Sequence, residues 1–264
     1  MNTTHFTSGE PAVVITRAAD RLWHALEDDR VVGRGETSTR PDGRTFLSVD
    51  AWHRSVFDRL AAAMLADLPA PLHTIVDEAD VELTAGWERA GFTARRREWE
   101  YAVPTDPAVT GLGAVPPPGV TVVPLGAAEE GPLRALDRVI RAEVEATVGW
   151  PEMPAELLAG RDGDTVVDPA KYAVAAEAGE YVGLVRVVQV TRLPRIGLIA
   201  VRADRRRRGV ARALLAQVLG ALHYAGIPAA SAEVNEANPA ATALFEGVGA
   251  RRTASTLELV RHGE

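Results

Sequence analysis

Apolar positions recur along this chain with two periods, and the places where one gives way to the other mark its elements. Residues 21–33, RLWHALEDDRVVG, predict two strands around a short acidic turn. Residues 171–183, KYAVAAEAGEYVG, do the same at an offset of 150, and both stretches end in Val-Gly. Residues 45–49 and 196–201 are apolar runs of strand length, and each gives way to helical spacing. In the first case this is RLAAAML at 59–65. In the second, Ala211, Leu214, Leu215, Val218, Leu222 and Ala225 share a face, with Gly226 placed as the cap. VDEAD at 76–80 then parallels VNEAN at 234–238, and residues 83–91 parallel 241–249 without a gap, with Trp87 opposite Phe245. Matches in one order make the chain two copies of one unit. Each copy closes on room for one strand, at 92–103 and 250–261.

The copies differ at their start. Only the second has a strand at 120–123 followed by a helix with Leu133, Leu136, Val139, Ile140 and Val144 on one face. The first is read as beginning at its second strand. After that helix, WPEMP at 150–154 reads as a loop, and a short helix is expected near Ala155. Between the copies, PTDPAVTGLGAVPPPG at 104–119 has the composition of a linker, which places the domains at 1–110 and 111–264.

Charge and composition narrow the function. A net charge of -7 argues against a nucleic-acid partner. The absence of cysteine excludes disulfides, thiolate nucleophiles and thiolate metal sites. No run approaches eighteen apolar residues, and MNTTHFTSGE lacks a basic-then-apolar pattern, so the expectation is a cytoplasmic protein with no membrane contact. The histidines show no ligand spacing, and no metal is expected. His24 and His223 read as ordinary surface or core residues, and Trp23 and Trp87 as core.

The candidate chemistry lies at 196–212, IGLIAVRADRRRRGVAR. A strand that turns through small residues into a helix N-terminus is an anion site, because the first helical amides have no internal partner and the helix dipole favours negative charge. Gly209 and Ala211 leave the backbone open, while Arg206, Arg207, Arg208 and Arg212 add charge. The first copy offers DAWHRSVFD at 50–58, with no glycine, with carboxylates at Asp50 and Asp58, and with Phe57 read as the counterpart of Gly209.

The hexapeptide from Arg206 through Gly209 to Ala211 resembles the pyrophosphate loop of the GNAT superfamily of coenzyme A-dependent N-acetyltransferases. The segment from Glu233 to Gly249 is similar to that family's second motif, with Asn238, Ala241, Leu244, Phe245, Glu246 and Gly249 on matching positions. The resemblance covers residues 118–264. It implies an α/β fold of two tandem GNAT-like mixed-sheet domains, the first degenerate. In architecture alone this resembles the mycothiol synthase type. Such proteins lend closing strands from one copy to the other around a pseudo-twofold axis.

The resemblance also implies acetyl-CoA as co-substrate. The loop residues Arg206 to Arg212, Val210 included, would hold the pyrophosphate. Ile199, Ala200 and Val201 would lie along the pantetheine arm, and Asn238 and Phe245 would meet the cofactor, Asn238 also as a helix cap and Phe245 also as core packing. The implied reaction is transfer of an acetyl or short acyl group to an amine by direct attack. The expected acceptor is a small molecule rather than a protein, and the chain a monomer or homodimer. The strand before the loop carries no glutamate, and Phe245 stands where relatives carry a tyrosine acid. Glu233, Ser231 and Asn235 are therefore the catalytic candidates, and Glu143, Glu145 and Trp150 the acceptor-side candidates. A non-catalytic acyl-CoA binding or sensing protein is the alternative.

Overall fold

The computed structural model describes residues 13–40, 42–113, 115–149, 167–189 and 193–263 of the chain. They form two compact units, one running to Arg96 and resumed from Thr256, the other Arg97–Ser255. The sequence puts the division near residue 110. By contact the chain divides instead at these two points, because strands β6 (Thr93–Pro104) and β12 (Arg251–Arg261) each run from one unit into the other.

The first unit contains β1 (Val14–Ala19), β2 (Leu22–Glu27), β3 (Arg30–Thr39), β4 (Thr45–Ala51), α1 (Arg54–Asp67), β5 (Leu72–Asp77) and α2 (Val81–Arg89). Strands β1 to β4 are successive antiparallel neighbours, β5 is parallel to β4, and residues 256–261 of β12 run antiparallel on β5. The first copy does have its first strand. β1 is mostly exposed, so its VITRAA sequence carries no apolar alternation from which a strand could be read. Helix α1 buries Val56, Phe57, Leu60, Ala61 and Met64 against Trp23, Leu47, Leu72 and Trp87. Trp23 and Trp87 are each 1% exposed, as a core assignment requires.

The second unit repeats this order with α3 (Pro107–Thr110), β7 (Val120–Val123), α4 (Glu130–Glu145), β8 (Tyr172–Glu177), β9 (Glu180–Val188), β10 (Arg195–Val201), α5 (Val210–Tyr224), β11 (Ala229–Asn235) and α6 (Pro239–Glu246). β10 and β11 are its parallel pair, and residues 98–104 of β6 close the sheet on β11. Helix α4 has no counterpart between β1 and β2, which a tight turn joins. It lays Leu133, Leu136 and Ile140 on the sheet face that carries Tyr172, Val174, Leu184, Leu198 and Ala200. Val139, expected on that stripe, is exposed. Asp137 takes an inward position, its charge met by Arg141 four residues on. Helices α5 and α6 cover the other face.

The repeated Val-Gly has a packing reason. A Cβ on Gly33 would lie 2.7 Å from Val56 Cγ1 and 2.9 Å from Leu60 Cδ1. One on Gly183 would lie 3.1 Å from Val210 Cγ1 and 3.3 Å from Leu214 Cδ1. Each copy seats its central helix directly on a strand glycine. No helix among the described residues is long and apolar enough to cross a membrane.

Candidate cofactor and acceptor site

The site starts from a split in the second unit's sheet. β10 pairs with β11 only at Arg195↔Ser231 and Ile196↔Ala232. At Gly197 the register between β10 and β9 shifts by one residue, and from there β10 follows β9 to Val201 while β11 follows β6 to Asn235. A glycine inside a strand is the residue that admits such a bulge. The strands thus part like a wedge. Arg202 N donates to Val182 O on the β9 side. Strand alternation then turns the amides and carbonyls of Ile199 and Val201 to the open edge, and those of Ala200 to β9.

Eight residues lead from β10 into α5. A 3-10 turn over Ala203–Arg205 comes first. Arg207 (φ 64) and Gly209 (φ 84) are both left-handed, and Gly209 stands at the N-cap with no side chain covering the helix amides. Alternating backbone hands before a helix turn successive N–H groups to one side, the geometry of an anion nest. Val210 is buried beneath and can offer only its backbone, while Ala211 adds no bulk.

The arginines divide in role. Arg205 is held by Glu177 and Asp204, and Arg208 lies 3.7 Å from Glu177. Arg206 donates Nε to Val201 O at 3.1 Å and Nη2 to Glu143 at 3.0 Å. Arg212 reaches Gly247 O after α6, at 3.3 Å. Arg207 is exposed, and no ion pair engages it among the described residues.

The family model of the GNAT acetyltransferases matches residues 136–250. The matched span lies inside unit two. Solved GNAT structures are similar over nearly the whole chain. A GCN5-related N-acetyltransferase from Sphaerobacter thermophilus is 16% identical with a TM-score of 0.63, covering 94% of this chain and 82% of its own. A tandem GNAT protein from the clavulanic acid biosynthesis pathway is 15% identical with a TM-score of 0.62, covering 97% and 85%. A GCN5-related N-acetyltransferase from Kribbella flavida is 15% identical with a TM-score of 0.54, covering 96% and 90%. No curated protein matches the chain with significance. At these identities the likeness is one of fold: two GNAT folds in tandem.

Within unit two, the remaining candidates fall on both sheet faces. Asn238 caps α6, its Oδ1 accepting Ala241 N at 3.0 Å, with Pro239 in the first turn. Phe245, expected beside the cofactor, is 3% exposed and stacks on Tyr101 of β6 at 6.2 Å between centroids. Its position at an apolar helix spacing looked alike for either role. The Tyr101 hydroxyl donates to Glu246 at 3.1 Å and accepts from Arg252 Nε at 2.9 Å. That bond and Glu246 raise the Arg252 guanidinium above its ordinary pKa.

On β11, Ala230, Ala232 and Val234 lie under α5 and α6, so Ser231, Glu233 and Asn235 face the side of Leu198 and Ala200. Glu233 pairs with Arg195 at 3.1 Å. Asn235 Oδ1 accepts Ala237 N at 2.9 Å, a turn role. Glu145 is exposed at the end of α4, and Trp150 and the helix expected near Ala155 lie outside the described residues. Glu143, expected to line an acceptor pocket, turns its carboxylate into the loop between β10 and α5. The wedge and this loop contact had weak signals in the sequence: Gly197 inside an apolar strand, and an acid in a last helical turn that holds no base.

Proposed function

We propose that this chain transfers an acetyl or short acyl group from acetyl-CoA to an amine, with the chemistry confined to the second unit. The observation that carries the reading is the left-handed loop at Arg207 and Gly209, opening uncapped α5 amides beside the free edge of β10. A pyrophosphate on those amides would run the pantetheine arm along Ile199 to Val201, whose outward amides can bond the arm and the thioester carbonyl. A neutral amine then attacks the carbonyl carbon, the C–S bond breaks, and the thiolate leaves. Phe245 has no proton to give it, so the proton comes from the attacking nitrogen or from water.

Glu233 and Ser231 are the base candidates, on the face shared with Leu198 and Ala200. Glu233 pairs there with Arg195 at 3.1 Å. A panel of small amines incubated with acetyl-CoA, read by free thiol release, tests this. Release with some amines and loss of release in Glu233→Gln support it.

The second reading, an acyl-CoA binding or sensing protein, is favoured by the core position of Phe245 and by a β10 without carboxylates. Tight acetyl-CoA binding with no amine-dependent release across the panel would select it.

A further inference from the structure

The last turn of α4 is an odd place for a carboxylate. The C-terminal end of a helix carries partial negative charge and favours cations, yet this turn holds Glu143 and Glu145 and no base. Glu143 is compensated from outside its helix. Its two oxygens both lie 2.9 Å from Ala203 N, and Oε2 accepts Arg206 Nη2 at 3.0 Å. The carboxylate thereby caps the 3-10 turn that opens the loop, where the N-cap residue Arg202 makes no side-chain cap of its own. Arg206 in turn clamps the last carbonyl of β10 through Nε. One carboxylate, 22% exposed, thus ties together the end of α4, the end of β10 and the first half of the loop. The left-handed residues that present the anion-binding amides begin immediately after Arg206.

We propose that Glu143 is a positioning residue for cofactor binding: with Arg206 it holds the loop in the shape that receives the pyrophosphate. This rests on the reading of the loop as a coenzyme A site. Arg206 then acts as a strut rather than as a phosphate ligand. Charge at the phosphates falls to the backbone amides, with Arg207 as the exposed loop arginine that no ion pair engages among the described residues.

The test is a double-mutant cycle on the full chain, with acetyl-CoA affinity measured by calorimetry. Glu143→Ala and Arg206→Ala should each weaken acetyl-CoA about tenfold, and the double variant should be no weaker than either single one. Glu143→Gln, which keeps an acceptor for Ala203 N but loses the ion pair, should fall between them and the parent. In turnover, KM for acetyl-CoA should rise with kcat nearly unchanged. Acetyl-pantetheine, which lacks the pyrophosphate, should be used equally well by parent and variants.

Additive losses in the double variant would make Arg206 a direct phosphate ligand and overturn the proposal. Tighter acetyl-CoA binding in the Glu143 variants, or equal loss with acetyl-pantetheine, would overturn it too. If Glu143→Ala does not fold, Glu143→Gln against Arg206→Gln carries the same cycle. Failure of the parent chain to bind acetyl-CoA at all would instead strike the cofactor reading itself, and is seen before any variant is made.

Discussion

Ala51 and Val201 end equivalent strands, and Val56 and Val210 press on equivalent glycines, yet two residues join strand to helix in the first unit and eight in the second. The packing match sets Ser55, not Phe57, opposite Gly209, and α1 has already begun there. His53 at its N-cap is extended (φ -125), so no left-handed residue turns amides outward. Phe57 is a core residue and blocks nothing.

The wedge survives in outline, since β4 and β5 also pair only at Thr45↔Leu72 and Phe46↔His73. There, however, Thr74 Oγ1 donates to Leu47 O at 2.9 Å across the split, where the second unit has Ala232. The first copy lacks the left-handed loop because two residues, not eight, join its strand to its helix, whatever the acidic and bulky residues of 50–58 add. A core tolerates this because the helix face and its glycine seat are unchanged.

The sharpest way to break this comparison is a matched pair of charges. Gly209→Glu should weaken acetyl-CoA about a thousandfold, about 4 kcal/mol, by placing a carboxylate at the phosphate position. The left-handed backbone and Pro117, 3.3 Å from the new Cβ, add a modest loss of melting temperature. Ser55→Glu, on the matching position, should leave acetyl-CoA affinity unchanged. Calorimetry on both variants decides, and equal losses would mean that the first unit also binds the cofactor. The same titration on the parent chain should saturate near one equivalent.

Second in size are the two glycine seats. Gly33→Ala and Gly183→Ala should each cost about 1–3 kcal/mol by overpacking, Gly33→Ala the more because its contacts are closer. Denaturant midpoints check the order, and a reversed order would show that α1 is the looser helix.

A smaller effect concerns only the first unit. His73 is buried and its pKa is lowered chiefly by desolvation, against the opposing pull of Glu258, which it meets at 3.0 Å. Its neutral form is favoured in the fold. The stability this gives is present above the ordinary histidine pKa and is lost as pH falls below it toward the lowered folded value. Melting temperature should therefore decline on acidification below about pH 6.5. His73→Gln should flatten that slope without touching acetyl-CoA affinity at neutral pH. An unchanged slope would assign the decline to carboxylates.

The smallest shift is in the helix that lost its loop. Ser55→Glu puts an anion in the first turn of α1, which holds no acid, and should raise stability by about 0.3–1 kcal/mol. A fall in the denaturant midpoint would mean that the start of α1 is not free to accept charge.

Repetition, the loop and the helix cap at Asn238 were legible in the sequence because each is local. A period, a glycine after a strand, and Asn-Pro before an apolar run state backbone requirements within a few residues. The wedge was half legible: Gly197 marks a bulge, but only its pairing with β9 and β11 tells that the sheet opens there. Tertiary structure alone decided the rest. The lending of closing strands was implied by the resemblance, but where β6 and β12 divide, at Arg96 and Thr256, depends on which strands pair at long range. Phe245 was open to core packing and cofactor contact alike in the sequence, and its stacking on Tyr101, 144 positions earlier in the chain (245 minus 101), is what seats it in the core. Glu143 took a loop amide and Arg206 as partners because α4 ends beside β10, a meeting that no spacing in the sequence encodes.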